Sequence, residues 1–252
     1  MDEKQPQITN VIFESNDFTN FDIAVTNSPI SFSYCIFRYY STRIFDSSLL
    51  KSNYGTEFVD CNFTNNGEDK PQLIPIILST GNYTFNNCYF TDNKNGAIEI
   101  KEGAEAKFYS SHFEGNEYSD NGGAIRIISS TRSTTFDGCN FKSNKATYFG
   151  GSIYIENNNQ AEIKHYIIGC TFDNCEAKNG TYIYSKLSGI QLKFSTFQNN
   201  QNNHYIYIEM QGNHEPVIDN CNFLSNSGSF VFNSANGYTI TNSLFSHTSS
   251  SQ

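Results

Sequence analysis

Residues 136–155 read FDGCNFKSNKATYFGGSIYI, and two parts of this stretch recur along the 252-residue chain. One is Cys-x-Phe-x-x-Asn, here Cys139, Phe141 and Asn144. The other is the Gly150-Gly151-Ser152-Ile153-Tyr154-Ile155 segment. With the phenylalanine as anchor, the first motif repeats at Phe13, Phe37, Phe63, Phe90, Phe113, Phe141, Phe172, Phe197, Phe223 and Phe245, at intervals of 22 to 31 residues. Self-similarity on this scale is the signature of a solenoid whose coils differ in loop length.

Other positions keep phase with the anchor. Two residues before it stand Cys35, Cys61, Cys88, Cys139, Cys170 and Cys221, or the equally small Ser111, Ser195 and Ser243. Five residues before it every coil is apolar: Ile8, Phe32, Phe58, Phe85, Phe108, Phe136, Ile167, Leu192, Ile218 and Ile240. Three residues after it come Asn16, Asn66, Asn93, Asn116, Asn144, Asn200 and Asn226. The second motif returns as Gly122-Gly123-Ala124-Ile125-Arg126-Ile127, and more weakly as Asn95-Gly96-Ala97-Ile98-Glu99-Ile100, Tyr205-Ile206-Tyr207-Ile208 and Phe230-Val231-Phe232.

Within each unit the apolar period is two, so the units are strands. No helical run separates them, and parallel crossovers are right-handed in nearly all proteins. The reading is an all-β, right-handed single-stranded parallel β-helix of about ten coils, one domain over residues 1–252, with coils about 4.8 Å apart. Buried phenylalanines then stack along the axis, asparagines occupy turns with left-handed backbone, and the Gly-Gly pairs supply positive φ.

The alternation of Phe-x-x-Asn with Gly-Gly-Ala-Ile resembles the repeat of polymorphic outer-membrane proteins, and the fold is similar to that of the pectate-lyase superfamily. The resemblance covers nearly the whole chain. It implies a surface-displayed, adhesive β-helix, at the cell surface or outside the cell where the chain is part of a longer family member.

Composition narrows the function. Net charge is −9, charged residues make up 16% of the chain, and its 16 lysines and arginines are scattered, which argues against nucleic-acid binding and an electrostatic membrane anchor. Polarity comes instead from 33 asparagines. Met1 to Asn10 lacks the basic start and apolar run of a signal peptide, and no stretch nears the roughly 20 apolar residues of a spanning helix. The segment is therefore expected to be soluble, without membrane insertion of its own. Met1–Gln7 and His247–Gln252 are short for solenoid caps, so the chain is expected to be a segment of a longer repeat or to stack end to end.

The seven cysteines are expected to be buried free thiols, because residues in register on adjacent coils lie slightly beyond the Cβ separation of a disulfide. Cys175, which replaces the usual asparagine, leaves a Cys170–Cys175 bridge open. No zinc spacing, calcium-binding aspartate phase, nucleophile elbow or phosphate loop stands out. No cofactor, metal or catalytic residue is assigned, and the reading is a non-enzymatic interaction module. A carbohydrate-active enzyme on the same fold is the alternative. The outward slot of the second strand reads Glu99, Arg126, Tyr154, Ile183, Tyr207, Val231, and the last four form an apolar stripe about 15 Å long. That stripe is the expected docking ledge for a protein or glycan.

Overall fold

The computed structural model describes residues 6–14, 29–41, 43–46, 55–67, 73–157, 163–200, 204–210, 215–234 and 237–246. Its strands pair in parallel between successive coils throughout. One coil runs through Thr134–Asp137, Asn140–Lys142 and Ile153–Glu156 before the next begins at Lys164–Ile168. The middle strands form a ten-stranded sheet from Ile12–Glu14 to Leu244–Ser246. The other two sets merge into a 16-stranded sheet, because Ile76–Asn86 and Ile98–Tyr109 each run unbroken from one side of the helix to the next. A register shift between Ile100 and Gly103 marks the bend.

The expectation of about ten coils needs correction. The phenylalanine side carries ten strands, but the first and last coils have no third strand among the described residues, and the second has only the two-residue Phe45–Asp46. About seven turns are complete.

The phase of the core is as read from the sequence. All ten anchors pair in register, from Phe13 with Phe37 to Phe223 with Phe245. Consecutive anchor rings lie 4.6 to 5.0 Å apart and near parallel. A second stack runs through Phe32, Phe58, Phe85, Phe108 and Phe136, and meets the first edge to face, as Phe108 does Phe113 at 5.6 Å. Stacking within each column and edge-to-face contact between columns suit the ring quadrupoles, and each buried ring contributes about 2 kcal/mol of transfer free energy.

The corners are sharper than a repeat of strands alone suggests. Every residue three before an anchor, from Asn10 to Asn242, has φ between 48° and 64°, and so do most described residues two after it, with Asn65, Asp92 and Asn174 among them. Two left-handed corners thus flank the three-residue phenylalanine strands from Ile36–Arg38 to Asn222–Leu224. The asparagines three after the anchor do not occupy these corners. Asn66, Asn93, Asn116 and Asn144 are buried and point into the helix. Each donates from Nδ2 to the carbonyl of the previous coil's anchor, as Asn116 does to Phe90 at 2.8 Å. In Asn93, Asn116 and Asn144 the Oδ1 accepts from the backbone and side-chain nitrogens of the preceding asparagine, and in Asn66 it accepts from the Tyr40 N–H. The ladder gives each anchor carbonyl a second donor inside the coil and satisfies the amides of the asparagines themselves, which are buried and would otherwise lack partners. Asn16 lies outside the described residues.

The thiol slot has a related logic. All seven cysteines are free and buried. Cys61, Cys88, Cys139 and Cys170 each direct Sγ toward a carbonyl of the previous coil, and Ser111 does the same with its hydroxyl. Cys175 sits in the asparagine slot, where it accepts from the Ser152 hydroxyl at 3.0 Å. Burial pushes the Cys88 and Cys170 thiols well up, and Cys175 up to about 11. A thiol reagent at neutral pH is expected to leave the folded protein unlabelled and to count seven thiols only after denaturation. Rapid labelling of the native chain would contradict the buried ladder.

The two glycines of each pair differ in role. Gly122 and Gly150 have φ of 80° and 64°. Gly123 and Gly151 serve close approach: a Cβ on Gly151 would lie 2.3 Å from the Thr181 carbonyl oxygen and 2.5 Å from that of Glu176.

Candidate functional site

The outward slot of the third strand set reads, by pairing register, Ile77, Glu99, Arg126, Tyr154, Tyr184, Tyr207 and Val231. Tyr154, Tyr207 and Val231 stand where the sequence places them. Ile183 does not: it pairs with Ile153 and Ile206 and lies in the core, and Tyr184 takes its place outside. The glycines explain the shift. Gly180 repeats the positive φ of Gly122 and Gly150, and counting three residues on from each gives Ile125, Ile153 and Ile183. Thr181 stands at the position of the second glycine, which masks this signal. A one-residue slip moves a strand side chain to the opposite face.

Tyr154, Tyr184 and Tyr207 form a stack, with centroids 5.4 and 4.8 Å apart. Phe149 packs on Tyr184 from the side at 4.6 Å. Tyr154 and Tyr184 are consequently only 5% and 8% exposed, and Tyr207 and Val231 are half-buried. Tyr154 donates to Glu156 Oε2 at 2.7 Å. Burial and the tyrosine and glutamate neighbours push the Tyr184 phenol up to about 12. Rings stacked along the axis cover one another's faces, so this ladder turns edges and hydroxyls outward.

Toward the N-terminal end of the ladder the surface opens into a groove of about 500 Å³ lined by Tyr118, Ser119, Asp120, Arg126 and Tyr148. Arg126 is its centre. The strand Ile125–Ile128 holds Ile125 and Ile127 in the core and so projects Arg126 outward. Its Nε lies 3.4 Å from Glu99 and its Nη1 3.2 Å from Asp120. The guanidinium also lies over the Tyr118 ring, 6.0 Å from the centroid, in cation–π range. Glu99, nearly buried, has a second cation in Lys101 at 2.6 Å. Tyr118 is held by the pairing of Glu117–Tyr118 with Lys145–Ala146, and burial raises its phenol. Tyr148, on the loop after Ala146, is 49% exposed.

A smaller groove of about 200 Å³ lies on another side, between Asn82, Thr84, Glu105, Lys107 and Arg132. There Glu105 pairs with Lys107 at 2.9 Å and with Arg132 at 2.5 Å, and the Lys107 hydrogen bond holds its carboxyl below the usual range. Among the described residues the histidines stay apart: His112 stacks on Tyr89, His165 is buried, and His204 faces Ser229. Among the described residues no group of histidine, cysteine and carboxylate side chains has a metal-binding arrangement, and no helix is long and apolar enough to cross a membrane.

The main groove brings together a cation, one carboxylate and two phenols, with Glu99 holding the cation from beneath the lining. Arg126 has an intrinsic signal in the sequence, its phase. Tyr118 pairs in register with Ala146 and the Tyr148 N–H donates to the Asp120 carbonyl at 3.3 Å, so these residues keep phase between two coils, but their residue types do not repeat along the chain. As an arrangement it suits recognition by hydrogen bonds, aromatic contact and a partly screened positive charge. Residues 3–141 match the family model described as a right handed beta helix region. None of the curated proteins compared matches the chain.

Proposed function

The chain belongs to the right-handed β-helix family, and on that scaffold we propose a non-enzymatic interaction module of surface type that takes its partner in the groove around Arg126 and Tyr148. The observation that carries this reading is the state of the charged groups. Glu99 faces two cations and Arg126 faces two carboxylates, so the cluster is already neutralised and held in place. General acid–base work asks for a group poised to give or take a proton against the substrate, and mutual pairing of this kind fixes a surface instead. Tyr148 adds an exposed, rigid aromatic of the type that anchors contacts. The likeness of the Phe-x-x-Asn and Gly-Gly-Ala-Ile alternation to polymorphic outer-membrane protein repeats supports a surface-displayed, adhesive role. The tyrosine ladder, with Tyr184 in place of Ile183, continues from Arg126 beside the groove, and with Tyr154 and Tyr184 buried it offers a partner little surface.

The second reading is a carbohydrate-active enzyme, favoured by a groove of about 500 Å³ that holds both an acidic and two aromatic side chains. A glycan array followed by an activity screen on acidic polysaccharides separates the two. Binding without turnover, weakened about tenfold or more by Tyr148→Ala, is the expected result. Release of cleaved oligosaccharide would establish the enzyme instead, and absence of binding to both glycans and candidate surface proteins would remove the module.

A further inference from the structure

The charges of the groove around Arg126 select among ligands. Its lining holds one cation and one carboxylate, Arg126 and Asp120. Glu99, beneath the lining, is matched by Lys101 at 2.6 Å, so the four groups carry no net charge. Arg126 turns Nε toward Glu99, and its Nη1 donates to Asp120 Oδ2 and to the Tyr118 hydroxyl. Among the described residues Arg126 Nη2, Asp120 Oδ1 and the Ser119 hydroxyl take no such contact. They offer a ligand a donor, an acceptor and a group that is both.

A carboxylate or phosphate on the ligand reaches Nη2 only with the Asp120 carboxylate beside it, and a ligand cation meets Arg126 in the same way. Like charges set side by side work against both. A neutral hydroxyl suits the pair, because it donates to the carboxylate and accepts from the guanidinium.

The rim is fixed before a ligand arrives. Tyr118 pairs with Ala146, the Tyr148 N–H donates to the Asp120 carbonyl at 3.3 Å, and the Phe149 N–H donates to Asn121 Oδ1 at 3.1 Å. Such preorganisation removes part of the cost of binding. The ladder tyrosines cover one another's faces, whereas Tyr148 stacks on no ring of the described residues and is half exposed. Its face is therefore open to the C–H groups of a sugar ring. A volume of about 500 Å³ lies within the range of small-ligand sites. A stable protein interface needs about 800 Å² from each partner around an apolar core, and Tyr154 and Tyr184, next along the strand slot, are buried.

We infer that the ligand of this groove is a neutral sugar chain, whose hydroxyls bridge Arg126 and Asp120 while one ring lies on Tyr148. The inference rests on the groove being the binding site proposed above, and it adds selection against uronates and other anionic glycans.

Neutral hexose oligosaccharides and uronate oligosaccharides of the same linkage, screened on an array and then titrated into the full chain by calorimetry, test this. The wild type is expected to bind a neutral chain about tenfold or more tighter than its uronate counterpart. Tyr148→Ala is expected to weaken the neutral chain about tenfold. Asp120→Asn keeps the shape and removes the rejecting charge. It is expected to raise the affinity for the uronate about tenfold and to lower that for the neutral chain, whereas simple damage to the groove lowers both. Circular dichroism serves as the folding control. A wild type that prefers the uronate, or an Asp120→Asn variant with the wild-type preference, overturns the inference and not the interaction module. Binding of a protein partner without any glycan does the same. Binding of neither removes the module as well.

Discussion

Asn116→Leu is expected to destabilise the fold by roughly 2–4 kcal/mol, well beyond what its change in volume suggests. The substitution keeps the volume close and adds apolar surface, so a view of the core based on hydrophobicity alone would score it as mild. The hydrogen bonds say otherwise. Asn116 Nδ2 donates to the Phe90 carbonyl at 2.8 Å and to Asn144 Oδ1 at 3.0 Å. Its Oδ1 accepts from the Asn93 N–H at 3.2 Å and from Asn93 Nδ2 at 2.9 Å. Leucine leaves the Asn93 N–H inside the helix with no partner, at a cost of about 1–3 kcal/mol, and removes the second donor of the Phe90 carbonyl and the links to Asn93 and Asn144, which adds about 1 kcal/mol. Asn140→Leu, in the outward slot of the next coil, removes the same chemical group without orphaning a buried one and is expected to stay within about 0.5 kcal/mol of wild type. Equilibrium urea denaturation measures both. If Asn116→Leu unfolds within 1 kcal/mol of wild type with an unchanged slope, the ladder is decoration and the phenylalanine stacks alone specify the coil.

The contrast between these two asparagines also marks how far the sequence could be read. The anchors and the residues five before them were legible because a solenoid repeats one environment many times: ten copies of a phenylalanine in phase average out the loops. The asparagine phase was equally visible, but its meaning was not. Asparagine suits a left-handed corner and a buried ladder alike, and only the backbone reveals that the corner falls one residue earlier, at positions such as Asn65 and Asp92. The coil count was overestimated for a related reason: an anchor strand forms at each end, but among the described residues no third strand completes its turn.

The groove was less legible, because sites on solenoids are built where the repeat is broken. Arg126 could be placed outside from strand alternation. Its partners Tyr118 and Asp120 come from the loop before it, and Tyr148 from the loop one coil later. Those two segments pair with each other coil to coil, as Tyr118 does with Ala146, but no residue type recurs in them, so no motif marks them. Ile183 failed for a subtler reason. The third strand has two inward residues separated by one outward residue, and in Thr181-Tyr182-Ile183-Tyr184 the apolar and aromatic residues are consecutive, so alternation does not choose a register. Tyr182 is accommodated inside because its hydroxyl reaches the Gln198 carbonyl and Asn226 Oδ1, a polar exit that phenylalanine would lack.

His165 supplies the second large effect, an acid-dependent loss of stability. It is wholly buried, in register with Ile190 of the next coil, and its Nδ1 accepts the Thr134 N–H at 3.2 Å. Its Nε2 and the Thr134 hydroxyl have no hydrogen-bond partner. Burial alone lowers its pKa to about 4, against an ordinary value of 6.5. The sign follows from proton counting. Between these two values the unfolded chain binds a proton that the folded chain refuses, so stability rises with pH there. The histidine therefore costs nothing above pH 6.5, and acidification to pH 4 withdraws about 3 kcal/mol, at 1.36 kcal/mol per unit. Carboxylates with lowered values, such as Glu105 and Glu117, weaken the fold in acid as well, so the histidine must be isolated by substitution. His165→Gln retains an acceptor for the Thr134 N–H and does not titrate. Its urea midpoint is expected to fall less steeply than that of wild type from pH 6.5 to pH 4.5, with parallel behaviour above pH 7. Parallel pH profiles across the whole range would mean that His165 takes up its proton in the folded state, and the packing around it would then have to admit a charge.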